Sequence, residues 1–136
     1  MRLANLTPHA VRVVTPGGDV VIPPSGAVAR VEQRCDYFTE IDVNGVPVTV
    51  VSCSYSDVKA DNLPLADGYI VSSIVASAIE GGAKVPPELQ TRPVFVPDTG
   101  PESAVRDESG RIVGVRRFRI VKNASMRQYA LMQRVK

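Results

Sequence analysis

Asn44-Gly45 lies between two apolar-rich runs, residues 39–43 and 46–53. In that setting an Asn-Gly pair is the strongest short-range signal for a β-hairpin, because a type I′ turn needs positive φ at both central positions. The rest of the N-terminal half is punctuated in the same way. Thr15-Pro16-Gly17-Gly18-Asp19 reads as a turn between strands at 10–14 and 19–22, since proline presets one turn position and glycine accepts positive φ. Pro8 breaks residues 2–14 into two short strands around Thr7-Pro8-His9, because proline cannot continue a central ladder. Pro23-Pro24-Ser25-Gly26 closes the first hairpin, and residues 27–33 alternate as a further strand.

Valine is abundant, tryptophan is absent and aromatics reach only 5%, which favours short β-branched strands over a helical bundle. One helix is expected. Tyr69-Ile70-Val71 reads as a strand leading into residues 72–79, with serine available as an N-cap and Gly81-Gly82 to stop it. This helix is apolar on nearly every side and is expected to pack on the sheet. Residues 84–107 carry five prolines, with only Val94-Phe95-Val96 resembling strand, and residues 112–121 read as one continuous strand. The expected fold is a small α+β domain, mainly β. It is an antiparallel sheet or partly open barrel of six to eight strands with one short packed helix. Residues 1–121 make this single domain, and residues 122–136 a basic C-terminal extension, either a weak amphipathic helix or a tail.

The apolar share of 44% and charged share of 22% are those of a globular chain. Charge is divided unevenly. Residues 1–108 hold eight basic and fourteen acidic side chains, a net of −6, whereas residues 109–136 hold eight basic and no acidic ones. That asymmetry makes nucleic acid a candidate partner for the C-terminal end. Aromatic interleaving there is thin, however, with only Phe118 and Tyr129, and charged residues also serve to guard strand edges. No run approaches the roughly 18 apolar residues that span a bilayer, so no membrane partner is expected. The first residues lack the apolar core of a secretory signal, so the cytoplasm is the expected compartment (the host's, if the chain is phage-encoded). Cys35 and Cys53 have no CxxC partner and are expected as two buried free thiols, with a disulfide as the alternative.

Asn5-Leu6-Thr7-Pro8-His9-Ala10-Val11 resembles the opening of a family of small proteins widely encoded by phages, prophages and bacteria. Ile22-Pro23-Pro24-Ser25-Gly26, Ala29-Arg30-Val31, Tyr69-Ile70-Val71-Ser72, Val105-Arg106-Asp107 and Gly110-Arg111-Ile112-Val113-Gly114 extend the resemblance over roughly residues 3–115. It implies a setting in mobile elements rather than a reaction. The chain departs from the family's pattern in the basic segment after Val115 and in the longer Pro86-Pro87-Glu88-Leu89-Gln90 stretch.

Enzyme-type signals are close to absent. There is no glycine-rich phosphate loop and no HExxH, and His9 is the only histidine. One histidine without nearby ligand partners builds no zinc site, and no cofactor or metal is implied. A histidine in Thr-Pro-His at a turn more often fixes the bend than acts as a base, so a hydrolase using His9 is kept as an alternative. The proline-stiffened loop is the expected site. Arg92, Asp98, Thr99 and Arg106 lie on it, and Ser72 and Ser73 open the helix. Guanidinium forks and free helix N–H groups both favour anions. The leading expectation is a non-enzymatic phage-type protein that sequesters a small anionic, phosphorylated, nucleotide-like ligand, with counteraction of host defence as the role this suggests. The alternative is an interaction module that masks a protein through a sheet edge or the basic tail, with exposed edges favouring self-association.

Overall fold

The computed structural model describes residues 1–122, and the expected C-terminal extension lies outside the described residues from 123 on. The class is α+β, mainly β, as the sequence predicts. Among the described residues there are ten strands and two short helices, in two four-stranded sheets and one separate hairpin.

The first sheet joins β1 (Leu3–Asn5), β6 (Gly68–Ile70), β7 (Val94–Pro97) and β10 (Phe118–Ile120), in that order. Its first three strands are parallel and β10 runs against β7. The parallel pairing departs from the antiparallel sheet expected from the sequence, and the cause is the connection. The chain leaves β6 into helix α1 (Ser73–Glu80), continues through the short helix α2 (Pro87–Thr91) and re-enters the sheet as β7. A helical crossover carries the chain back to the end where β6 began, so the two strands must run the same way. Ser72 caps α1 by accepting from the Val75 N–H, which is the role expected of it.

The second sheet has the order β3 (Gly18–Ile22), β2 (Val11–Thr15), β9 (Ile112–Val115), β8 (Ala104–Arg106). The continuous strand expected over 112–121 is in fact two strands in different sheets. The break falls at Arg116-Arg117, whose backbone N–H groups both donate to the hydroxyl of fully buried Ser103. Residues 27–33 likewise form no full strand: Arg30 bridges Lys59, the Ala29 N–H donates to the Leu6 carbonyl, and Glu32 bonds Ser56 before β4 begins.

The core lies between the first sheet, α1 and the 58–66 segment. Leu6, Tyr69, Val71, Val75, Leu89 and Val94 form its centre. Burying an apolar side chain of this size contributes about 1.5–3 kcal/mol. The Tyr69 hydroxyl is satisfied by donating to the Pro64 carbonyl at 2.8 Å. Burial, and then the charge of Glu88, push its pKa up against the opposing charge of Arg92.

The hairpin of β4 (Gln33–Val43) and β5 (Val46–Tyr55) stands apart from this body. Asn44 at φ 51° and Gly45 at φ 84° make the two-residue turn expected of them. Neither strand shares an extended contact with any other element, and nearly every residue of both is exposed. Cys35 and Cys53 face each other across it as a disulfide. The expected buried thiols are thus corrected to an exposed cross-strand link. A bulge between Tyr37 and Thr39 shifts the register by one residue and brings the two cysteines opposite.

Candidate functional site

The six residues expected to bind an anion are spread over two sheets. Ser72 and Ser73 lie just beyond the C-terminal end of β6. Ile70 is level with Phe95 in β7, so Asp98 and Thr99, beyond the end of β7, belong to the same end of the sheet. Arg92 precedes β7 and sits at the opposite end, and Arg106 ends β8 in the other sheet. The structure therefore brings Ser72, Ser73, Asp98 and Thr99 to one sheet end and neither arginine with them.

Asp98 is paired with Arg117 at 2.6 Å, and its backbone N–H donates to the Arg117 carbonyl. The Arg117 guanidinium, and then the Gly100 N–H, hold the Asp98 carboxyl below its usual range. Arg106 donates to the Gly110 carbonyl at 2.6 Å and shapes a turn. In that turn Asp107 accepts from the Ser109 hydroxyl and from the backbone N–H groups of Ser109 and Arg111.

The basic stretch is consumed in the same manner. Arg119 bonds both oxygens of Glu80, and Arg116 reaches the Ser103 and Ala104 carbonyls. Burial pushes the Glu80 carboxyl up. The Lys122 N–H and Arg119 outweigh it and hold the pKa below its ordinary value. The Arg-rich strand thus answers acidic groups of its own chain first.

His9 is used through its backbone. Its carbonyl accepts from the Asn5 side-chain amide at 2.8 Å and from the Thr7 hydroxyl at 2.9 Å. Asn5 is the centre of this corner and is 1% exposed. It also donates to the Ile22 carbonyl, while its own side-chain oxygen accepts from the Thr7 N–H and shares the single proton of the Thr7 hydroxyl with the His9 carbonyl. The Asn5–His9 motif is a bend fastened by one buried amide. Among the described residues no cluster of three metal-ligating side chains occurs.

Two features lie where the sequence reading did not look. The first is a 480 Å³ cleft between residues 25–30 and 59–62. Arg30 and Lys59 line it and are joined by two reciprocal backbone hydrogen bonds of 2.9 Å. Such a narrow antiparallel pair places both side chains on one face. Two cations directly opposite each other repel, and among the described residues neither has a carboxylate at ion-pairing distance. Asp61 and Asn62 complete the lining with groups suited to hydroxyl or amine donors. None of Ser72, Ser73, Arg92, Asp98, Thr99 or Arg106 lines it.

The second is the β4–β5 arm. Of the fifteen exposed large apolar side chains among the described residues, eight belong to its strands. The register sorts them by face, because directly opposite residues share a face and neighbours along a strand alternate. Toward the turn, Ile41, Val43, Val46 and Val48 share one face, while Glu40 and Asp42 lie on the other. Beyond the bulge the order inverts. Tyr37, Val51, Tyr55 and the disulfide lie on the face that carries Glu40 and Asp42 near the turn. A signal for this was present in β5, where apolar spacing changes phase at Val50-Val51.

Comparison of the chain with protein-family models, with curated proteins and with solved structures finds no match. No helix among the described residues is long and apolar enough to cross a membrane.

Proposed function

We propose that the chain is a non-enzymatic protein-interaction module whose binding element is the β4–β5 arm. One observation carries this reading: a disulfide-stapled ribbon, apolar on one face near its turn and on the other near its base, stands clear of the body except at its foot, where Cys53, Ser54 and Tyr55 border a cleft with the end of α1. Exposed apolar patches rimmed by polar residues are characteristic of protein contacts. An isolated two-stranded hairpin is marginal in water, so the staple keeps the element ready for a partner. The resemblance of the Asn5–His9 opening to phage-encoded proteins suits a protein that masks another protein. Cross-linking mass spectrometry in the cells that express the chain tests this. Cross-links to partner chains should concentrate on residues 33–55 and fall away in Ile41→Asp/Val48→Asp. Cross-links spread over the body and unchanged by the variant would overturn the reading.

A second reading is favoured by the unpaired Arg30–Lys59 bridge. In it, the cleft between residues 25–30 and 59–62 holds a small phosphorylated ligand, with Asp61 and Asn62 receiving its hydroxyl or amine donors. Native mass spectrometry against a nucleotide panel tests it. Arg30→Ala should weaken the bound nucleotide by about 1.5–3 kcal/mol, the range of a charged hydrogen bond, while Arg106→Ala leaves it unchanged. The reverse order would return the site to the proline-rich loop.

A further inference from the structure

We propose that the free edge of β5 joins two copies of this chain, continuing their arms into one four-stranded antiparallel sheet of order β4–β5–β5–β4. The inference rests on the arm being the binding element and names what it binds. It starts from the turn. Val43 and Val46 flank a two-residue turn and form the hydrogen-bonded pair that closes it. Pairs alternate from there, so Pro47, Thr49, Val51, Cys53 and Tyr55 direct their backbone groups away from β4, toward the open edge.

The two edges of the arm differ in charge. β4 carries Arg34, Asp36, Glu40 and Asp42, so two β4 edges brought together repel. Between Val46 and Tyr55, β5 carries no charged residue. Natural edges are normally guarded by lysine, proline or short length. Here ten residues are left with Pro47 as their one guard, close to the turn. An antiparallel strand is complementary to its own copy, and pairing about a two-fold at Val51, which sets Val51 opposite Val51 and Thr49 opposite Cys53, is isologous and closed. The outward N–H groups of Thr49, Val51, Cys53 and Tyr55 from both copies supply about eight interchain hydrogen bonds, within the usual 10 ± 5 of a stable interface. Opposed residues share a face, so Tyr37, Val51 and the disulfides of both copies merge into one central apolar stripe. Pairing also turns a marginal two-stranded ribbon into four strands.

Sedimentation equilibrium of the full chain decides the matter. The expected mass is twice 14.6 kDa at micromolar concentration. Thr49→Pro removes an outward N–H that the hairpin does not use, so the arm still folds. Losing that bond from both copies should raise the dimer dissociation constant about thirty-fold. Val51→Lys, which places like charges beside the two-fold, should give monomer, whereas Glu40→Lys on the other strand should leave the dimer intact. Hydrogen exchange across residues 33–55 confirms that each variant keeps the hairpin. A wild-type monomer at 100 μM (about ten times the working range) would overturn the inference, and the cross-linking pattern above would still decide whether the arm binds another protein. A dimer that survives both Thr49→Pro and Val51→Lys, or that is lost in Glu40→Lys, would also overturn it.

Discussion

Replacing Asn5 by alanine should cost this protein about 3 kcal/mol. The side chain is buried and makes four hydrogen bonds, two donated by its amide to the His9 and Ile22 carbonyls and two accepted from Thr7. Net, such bonds contribute about 1 kcal/mol each, and a stranded partner costs about 1–3 kcal/mol more if it is cut off from water. The His9 carbonyl keeps the Thr7 hydroxyl, and Thr7 is partly exposed, so water recovers some of the loss. The Ile22 carbonyl loses this partner outright. A figure near 3 kcal/mol is a large part of the roughly 7–20 kcal/mol expected for 136 residues. Urea unfolding measures it as a lower midpoint at unchanged slope. Asn5→Asp separates bonding from packing, because it keeps the volume and turns a donor toward two carbonyls into an oxygen. At neutral pH it should be at least as damaging as alanine. A loss below about 1 kcal/mol for Asn5→Ala, or an aspartate milder than alanine, would refute the reasoning.

Reducing the disulfide, or replacing both cysteines by serine, should leave the melting of the body nearly unchanged. It should speed hydrogen exchange within residues 33–55 by an opening cost of up to about 3 kcal/mol, the chain-entropy value for an 18-residue separation. A matching drop in the global transition would show the arm to be part of the core. A Cβ at Gly68 would lie 3.0 Å from both Leu3 Cδ2 and Phe95 Cε2. Gly68→Ala should therefore cost about 1–3 kcal/mol by calorimetry. The carboxyls of Glu80, Asp98 and Asp107 are all held below their ordinary values in the fold. Their stabilisation is present above about pH 4.5 and is lost as pH falls through the depressed folded values. Chemical denaturation at pH 6 and pH 3 should show the loss, and it should be smaller in Glu80→Gln.

The hairpin turn and the Ser72-capped helix were legible because each depends on residues adjacent in sequence. Long-range choices were not. Nothing local tells β6 and β7 to run parallel, since the deciding feature is where the crossover over residues 71–93 returns the chain. The alternation over 112–121 hides its own break, because the hydroxyl that holds the corner belongs to Ser103, more than ten residues away. The cysteines show the limit most clearly. Counting outward from Asn44-Gly45 pairs Cys35 with Ser54, and only the extra residue at the bulge sets it opposite Cys53. In the expected site, Ser72 was assigned its cap correctly. Arg92 and Arg106 are close in sequence and still lie apart, because β7 enters one sheet and β8 the other.

The bulge at Tyr37 also decides how many grips an assembled pair would offer. Because it inverts the ribbon's apolar side, the stripe formed at the two-fold uses one side of the joined sheet. The Ile41, Val43, Val46 and Val48 clusters of both copies remain on the other. At about 3.3 Å per residue, these two clusters sit about 30 Å apart. A target that presents a matching pair of sites at that spacing would be held by avidity, far more tightly than either cluster alone could hold it.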